Sequence, residues 1–83
     1  MDQIARTPQQ IGAIVHRQRR RSKLTQNLLG AKIKLRQATV SKLEAGGPGT
    51  RLDTLLDVLG ALGLEIVIRP RTRGSPQEIE DIF

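Results

Sequence analysis

Cysteine is absent from these 83 residues. That excludes a disulfide framework, a thiolate metal site and a thiol nucleophile. Aromatic residues are nearly absent: Phe83 stands alone, with no Trp or Tyr. Single-stranded RNA recognition leans on base stacking, so this scarcity argues against an RNA-binding module. There is one histidine, His16. With no cysteine and no paired carboxylates near it, it builds neither a zinc site nor a catalytic one, and its place off the apolar stripe of its helix predicts a solvated side chain. No enzyme constellation is visible and no cofactor is expected. No apolar run is long enough to span a membrane, and the opening MDQIARTPQQ lacks the apolar stretch of a signal peptide. A cytoplasmic location is the expectation.

Acid is the other thing missing, over one long stretch. Residues 17–42 hold nine Lys and Arg and no Asp or Glu. Residues 1–51 carry a balance of +9 and residues 52–83 a balance of −3, within a formal net charge of +6. Such a block implies a polyanionic partner, nucleic acid rather than membrane. At this length one domain is expected. A chain so short buries only about 60% of its extended surface. Without disulfides, oligomerisation is the staple that remains.

Helical signals dominate what is present. Thr7 is an N-cap, Pro8 suits a first helical position, and Gln10 stands where a capping box wants Glu or Gln. Ile11, Ile14 and Val15 make an apolar stripe, and Arg19-Arg20-Arg21 suits a helix C-terminus. A second helix is predicted after Thr25, with Leu29 and Ile33 on one face. Gly30 inside it costs about 1 kcal/mol relative to Ala, which predicts close approach by another helix backbone. A third runs from about Arg36 to Glu44 with Val40 and Leu43 inward, Leu35 plugging the turn before it and Gly46 stopping it. The run Gly46-Gly47-Pro48-Gly49 is a connector. A fourth covers about Arg51 to Leu62, capped by Thr50, with Leu52, Leu55, Leu56, Leu59 and Leu62 as its apolar face and Gly63 at its end. Its polar side carries Asp53 and Asp57, a pair that favours solubility or a docking face.

Residues 64–69, LEIVIR, give a strand signal ending at Pro70. No second strand is legible, and unpaired backbone groups are costly when buried. Pairing with the same segment of a second copy across a two-fold axis solves this, with Leu64, Ile66, Val67 and Ile68 as the dimerising residues. A short tail laid on the fourth helix is the alternative. The expected organisation is an N-terminal arm (1–7), a helical domain (8–63) with a tight two-helix unit at 25–45, a dimerisation strand (64–70) and a flexible acidic tail (71–83). The tail, with Ile79, Ile82 and Phe83, is either a partner-binding or protease-recognition segment or a disordered end.

Two short helices in tight succession, the second polar at its start, match a helix-turn-helix. The second helix of such a unit enters the major groove with its N-terminal residues at base edges. The stretch LTQNLLGAKIKLRQATVSKLEAG, residues 24–46, resembles the phage-repressor (XRE/Cro) class. Leu24, Thr25, Gln26, Leu29, Gln37, Thr39, Ser41, Glu44 and Gly46 fit that pattern without a gap, and the match extends over roughly residues 8–63. One departure is the turn, where Lys34 stands in the usual glycine position and needs a left-handed conformation. RQATVSKLE beside LGLEIVIRPR is similar to HipB-type antitoxins.

The resemblance implies a mainly all-α bundle of about four helices whose C-terminal β-strand pairs across a homodimer. It implies a bacterial, nucleoid-associated repressor of a palindromic operator. It further implies the antitoxin of a type II toxin–antitoxin module that holds a HipA-like kinase toxin inactive. A stand-alone phage-type regulator, or the antitoxin of another toxin class, is the alternative. Arg36, Gln37, Ala38 and Ser41 match the base-reading face, with Lys42 further along. Arg suits guanine, Gln suits adenine and the Ala methyl suits thymine. Phosphate contacts are expected from Lys23, Thr25, Gln26, Thr39, Lys34 and Arg51. By resemblance Gln26 also lies against Gln37 and orients it, and Glu44 pairs with a basic residue, Arg17 or Arg20.

Overall fold

The computed structural model of the chain describes residues 2–71. Four helices form: α1 (Pro8–Arg21), α2 (Gln26–Lys32), α3 (Gln37–Glu44) and α4 (Leu52–Ala61). The described residues contain no strand, so the fold is all-α. The expected acidic tail lies, beyond residue 71, outside the described residues.

The helix starts follow from local chemistry. Thr7 accepts a hydrogen bond from the Gln10 N–H at 3.1 Å, and the Gln10 amide oxygen reaches back to the Arg6 N–H. Thr25 caps α2 by accepting from the Leu28 N–H at 3.1 Å. Both are side-chain oxygens satisfying amides that a helix start leaves unpaired. Arg36 and Arg51 occupy the N-cap positions of α3 and α4 with no side-chain cap. Thr50, expected to cap α4, instead donates its hydroxyl to the Gly47 carbonyl. It stands one residue too early, and its short side chain is spent on the preceding loop.

All four helices end alike. A backbone N–H folds back to the carbonyl five residues earlier: Leu24 to Arg19, Leu35 to Gly30, Gly47 to Lys42 and Leu64 to Leu59. The residue before each donor is left-handed: Lys23 (φ 58°), Lys34 (φ 59°), Gly46 (φ 79°) and Gly63 (φ 71°). Glycine takes that conformation freely, whereas a lysine pays about 1 kcal/mol or more for it. Lys34 behaves as its place in the motif predicts. Lys23 does the same one turn earlier.

Leu29, Val15, Val40 and Val58 are fully enclosed, with Leu43, Leu59 and Leu62 completing the core. α4 corrects the sequence reading. Leu52 and Leu56, expected to face inward, are 65% and 47% exposed, and Val58 is buried instead. The inward positions 55, 58, 59 and 62 keep a helical period, and α4 carries more apolar surface than the rest of the chain covers. Gly30 is enclosed because a Cβ there would lie 2.5 Å from the Leu35 carbonyl oxygen. The close neighbour is therefore the turn itself, folded back on α2, and not another helix. After Leu64, which packs on the core, Ile66, Val67 and Ile68 are exposed.

Candidate nucleic-acid interface

α3 is held by its inner face and by its C-terminal end. Val40 and Leu43 anchor the face. α1 crosses the end so closely that a Cβ on Gly12 would lie 2.5 Å from the Glu44 carbonyl oxygen and 2.6 Å from that of Leu43. The opposite, N-terminal side of α3 stands free: Arg36, Gln37, Ala38 and Lys42 are exposed, and Thr39 and Ser41 are half-buried. One helix edge therefore projects from a rigid body, the geometry that fits a major groove wide enough for a single helix.

Behind that edge lies a polar network centred on Glu44. Arg19 grips its carboxylate through two nitrogens, Nε to Oε2 at 2.6 Å and Nη2 to Oε1 at 3.0 Å. Arg19 Nη1 also donates to the Leu24 carbonyl at 2.8 Å, tying the turn after α1 into the cluster. His16 Nδ1 lies 2.7 Å from Glu44 Oε1. Gln26 Nε2 donates to the same oxygen at 3.3 Å. Gln37 Nε2 then donates to Gln26 Oε1 at 2.6 Å.

The side chains of Arg19 and Glu44 are 11% and 4% exposed, so the pair is largely desolvated. Burial pushes the Glu44 carboxyl up. Hydrogen bonds from Arg19, His16 and Gln26, with the Arg19 charge, outweigh it and hold the pKa below its ordinary value. The hydrogen bond to Glu44 raises Arg19 above its own, against burial. A buried ion pair with every partner satisfied specifies geometry more than it adds stability.

This network corrects two expectations. The partner of Glu44 is Arg19, from the middle of the arginine run, and neither Arg17 nor Arg20. Arg17 turns to Gln3 at 2.8 Å instead. His16 is bonded to Glu44 and is not merely solvated. A helical signal for both existed: Gly12, Val15, His16 and Arg19 share one face at intervals of three and four residues. Gln26 does lie against Gln37, as the resemblance implies.

The residues expected at phosphates are spread over α2, α3 and the helix boundaries. Lys23, Lys34 and Arg51 are exposed at helix boundaries, and so is Thr25, whose oxygen already caps α2. Arg51 binds Asp53 through two contacts of 3.0 Å. That hydrogen bond raises Arg51 and lowers Asp53 from their ordinary values. A cleft of about 520 Å³ between the starts of α2 and α3 is bordered by Arg20, Lys23, Thr25, Asn27 and Gln37. Sequence reasoning passed over Asn27, which follows the capping Thr25 by two positions in the first turn of α2. Among the described residues no cluster of three or more His, Cys, Asp or Glu could hold a metal ion. No helix among them is long and apolar enough to cross a membrane.

A family model described as "Helix-turn-helix" matches residues 15–68. No curated protein matches the sequence. Solved structures do. A HipA–HipB–O2–O3 complex contains a chain 28% identical, with a TM-score of 0.78, covering 86% of this chain and 100% of that one. A HipB–O4 20mer complex gives 28% identity and a TM-score of 0.79 over 86% and 100%. A HipB variant with an O2 20mer gives 28% and 0.80 over 87% and 100%.

Proposed function

Because the chain belongs to the XRE-type helix-turn-helix family and is a DNA-binding regulator of the HipB-like kind, we propose that it represses its own operon as the antitoxin of a toxin–antitoxin pair. Its toxin is a HipA-like kinase. The observation that carries the DNA-reading part is the free N-terminal edge of α3. There Gln37 is oriented by Gln26 while Arg36, Ala38 and Lys42 are uncovered beside it.

In this reading Arg36, Gln37, Ala38, Ser41 and Lys42 meet base edges, and Lys23, Thr25, Gln26, Thr39, Lys34 and Arg51 meet phosphates. Arg51 exchanges Asp53 for a phosphate on binding. The exposed row Ile66-Val67-Ile68 with Leu64 pairs with its copy, and exposed Leu52 and Leu56 enlarge the apolar surface available for assembly. The arm (2–7 of the described residues), domain (8–63) and strand (64–70) then act as separate units. Two-fold symmetry sets the half-sites about 34–36 Å apart or a multiple of that.

Footprinting on the chain's own promoter tests repression: a protected site without dyad symmetry overturns it. Co-purification with the product of the adjacent gene tests the antitoxin role. A kinase that leaves the column with this protein supports it. An adjacent gene without kinase character leaves the stand-alone regulator, which the same α3 geometry serves equally.

A further inference from the structure

We infer that His16 is a positioning residue of the reading edge: it competes with Gln26 for one oxygen of Glu44, and through Gln26 it governs how firmly the Gln37 amide is oriented. The inference rests on the DNA-reading role proposed for α3.

The hydrogen bonds run in one direction. Glu44 is ionised and only accepts, so the Gln26 amide must turn its nitrogen toward it. That leaves Gln26 Oε1 outward, where it accepts from Gln37 Nε2. Gln37 then keeps one amide hydrogen and its carbonyl oxygen for a base, the donor and acceptor pair that adenine N7 and N6 require. An acceptor buried behind the surface thus fixes the polarity of an amide on it.

Glu44 Oε1 is crowded. It takes donors from His16 at 2.7 Å, Arg19 at 3.0 Å and Gln26 at 3.3 Å. The longest of the three is the one that feeds the reading edge. Because a carboxylate oxygen faces His16 Nδ1, that nitrogen carries the hydrogen. The charged groups facing the ring are Glu44 from α3 and Arg19 from its own helix, whose Nη2 lies 3.3 Å from Nδ1; α2 contributes the neutral Gln26. At 2.7 Å against 3.3 Å, His16 holds Oε1 more closely than Gln26 does. Without that donor Oε1 turns toward Gln26, and the bond that orients Gln37 strengthens.

The test uses the full chain and the duplex that the wild-type protein enriches from a randomised pool. Gln37→Ala identifies the base pair at which discrimination is lost, and the affinity ratio for the enriched duplex over its single-base variant there is compared between the wild type and two His16 variants. His16→Leu, with no donor, is expected to raise the ratio about two- to ten-fold, the range of one net hydrogen bond. His16→Gln, which keeps a donor, is expected to hold the ratio near that of the wild type. A purely structural His16 would change affinity for every duplex alike and leave the ratio unmoved, which overturns the inference. A rise of equal size in His16→Gln, or a Gln37→Ala variant that loses discrimination nowhere, overturns it as well. If His16→Leu fails to fold, His16→Ala takes its place in the comparison. A pool that yields no enriched duplex removes the DNA-reading role itself; an enriched duplex with an unmoved ratio removes only the part assigned to His16.

Discussion

Gly12 and Glu44 meet backbone to backbone, with 2.5 Å between the position of a Gly12 Cβ and the Glu44 carbonyl oxygen. α1 therefore rests on the last turn of α3 without a side chain between them. This contact helps to set how far α3 stands out from the body, so it links a packing detail to the edge proposed to read DNA.

Gly12→Val should separate the two helices. The neighbouring atoms are backbone and cannot swing away, so the strain is of the overpacking kind, about 1–3 kcal/mol or more. Denaturant unfolding should show a lower midpoint, and DNA affinity should fall more than that of a variant equally destabilised in α4. An unchanged midpoint would show that α1 shifts without cost.

Arg19→Met strands the Glu44 carboxylate in a site where its side chain is only 4% exposed. Breaking one side of a buried pair costs about 3–5 kcal/mol, whereas replacing both partners with apolar residues is often close to neutral. The double variant Arg19→Met/Glu44→Leu should therefore recover most of the stability in thermal melts. It should not recover discrimination by Gln37, since Gln26 then has no carboxylate to face.

Acid should weaken the fold through Glu44. Its pKa is held below the ordinary 4.5 in the folded chain, so the unfolded chain takes up the proton first. The stabilisation is present above about pH 4.5 and is lost as pH falls through the lower, folded value. Unfolding midpoints measured downward from neutral pH should decline there, and Glu44→Gln should show a shallower decline. Asp53, also lowered but fully at the surface beside Arg51, should contribute little when substituted.

Lys34→Gly should stabilise the chain. The left-handed φ of 59° costs a lysine about 1 kcal/mol or more that glycine escapes. The gain is reduced by the greater freedom of glycine in the unfolded chain. The midpoint should rise modestly, while affinity falls by a similar factor for all duplexes and the salt slope decreases by about one charge. A change confined to one base position would place Lys34 among the base contacts instead.

Ile66→Asp should abolish self-association if residues 64–70 pair with their copy. Ile66 is 45% exposed in the single chain, so the substitution should leave the helical signal intact. Sedimentation should then report monomers at concentrations where the wild type is dimeric, and binding to a two-half-site duplex should weaken far more than binding to one half-site. A dimer that persists in the variant would move the interface elsewhere, with exposed Leu52 and Leu56 of α4 the next place to test.

Much of this architecture was legible without coordinates because its causes are local. Thr7 and Thr25 cap the helices that follow them, Pro8 opens α1, and the position of Lys34 called for a left-handed residue. The block of basic charge and the polar start of α3 pointed to the edge that is proposed to read DNA. What local patterns missed were features governed by helical phase and by the crossing of distant segments. Arg19 belongs to a run of three arginines; its helical phase with Gly12 and Val15 sets it apart from its neighbours, but its partner is fixed only when α1 is laid on α3. Leu55, Leu59 and Leu62 of α4 face inward as expected, but Leu52 and Leu56 do not, because five leucines outnumber the positions that one small core can take and Val58 holds one of them.

By itself, then, the amino-acid order determined where the helices begin and end, which side chains α3 leaves outward, and the sign of the partner's charge. Those depend on hydrogen bonds within a few residues and on composition. Only the tertiary structure decided that His16, Arg19 and Gln26 converge on Glu44, with Gln37 joined to them through Gln26. That convergence joins residues 18 to 28 positions apart from Glu44 at its widest links, and no periodicity along the chain encodes it. It follows from the glycine contact that lets α1 sit directly on the end of α3, and from the cost of leaving a buried carboxylate unpaired.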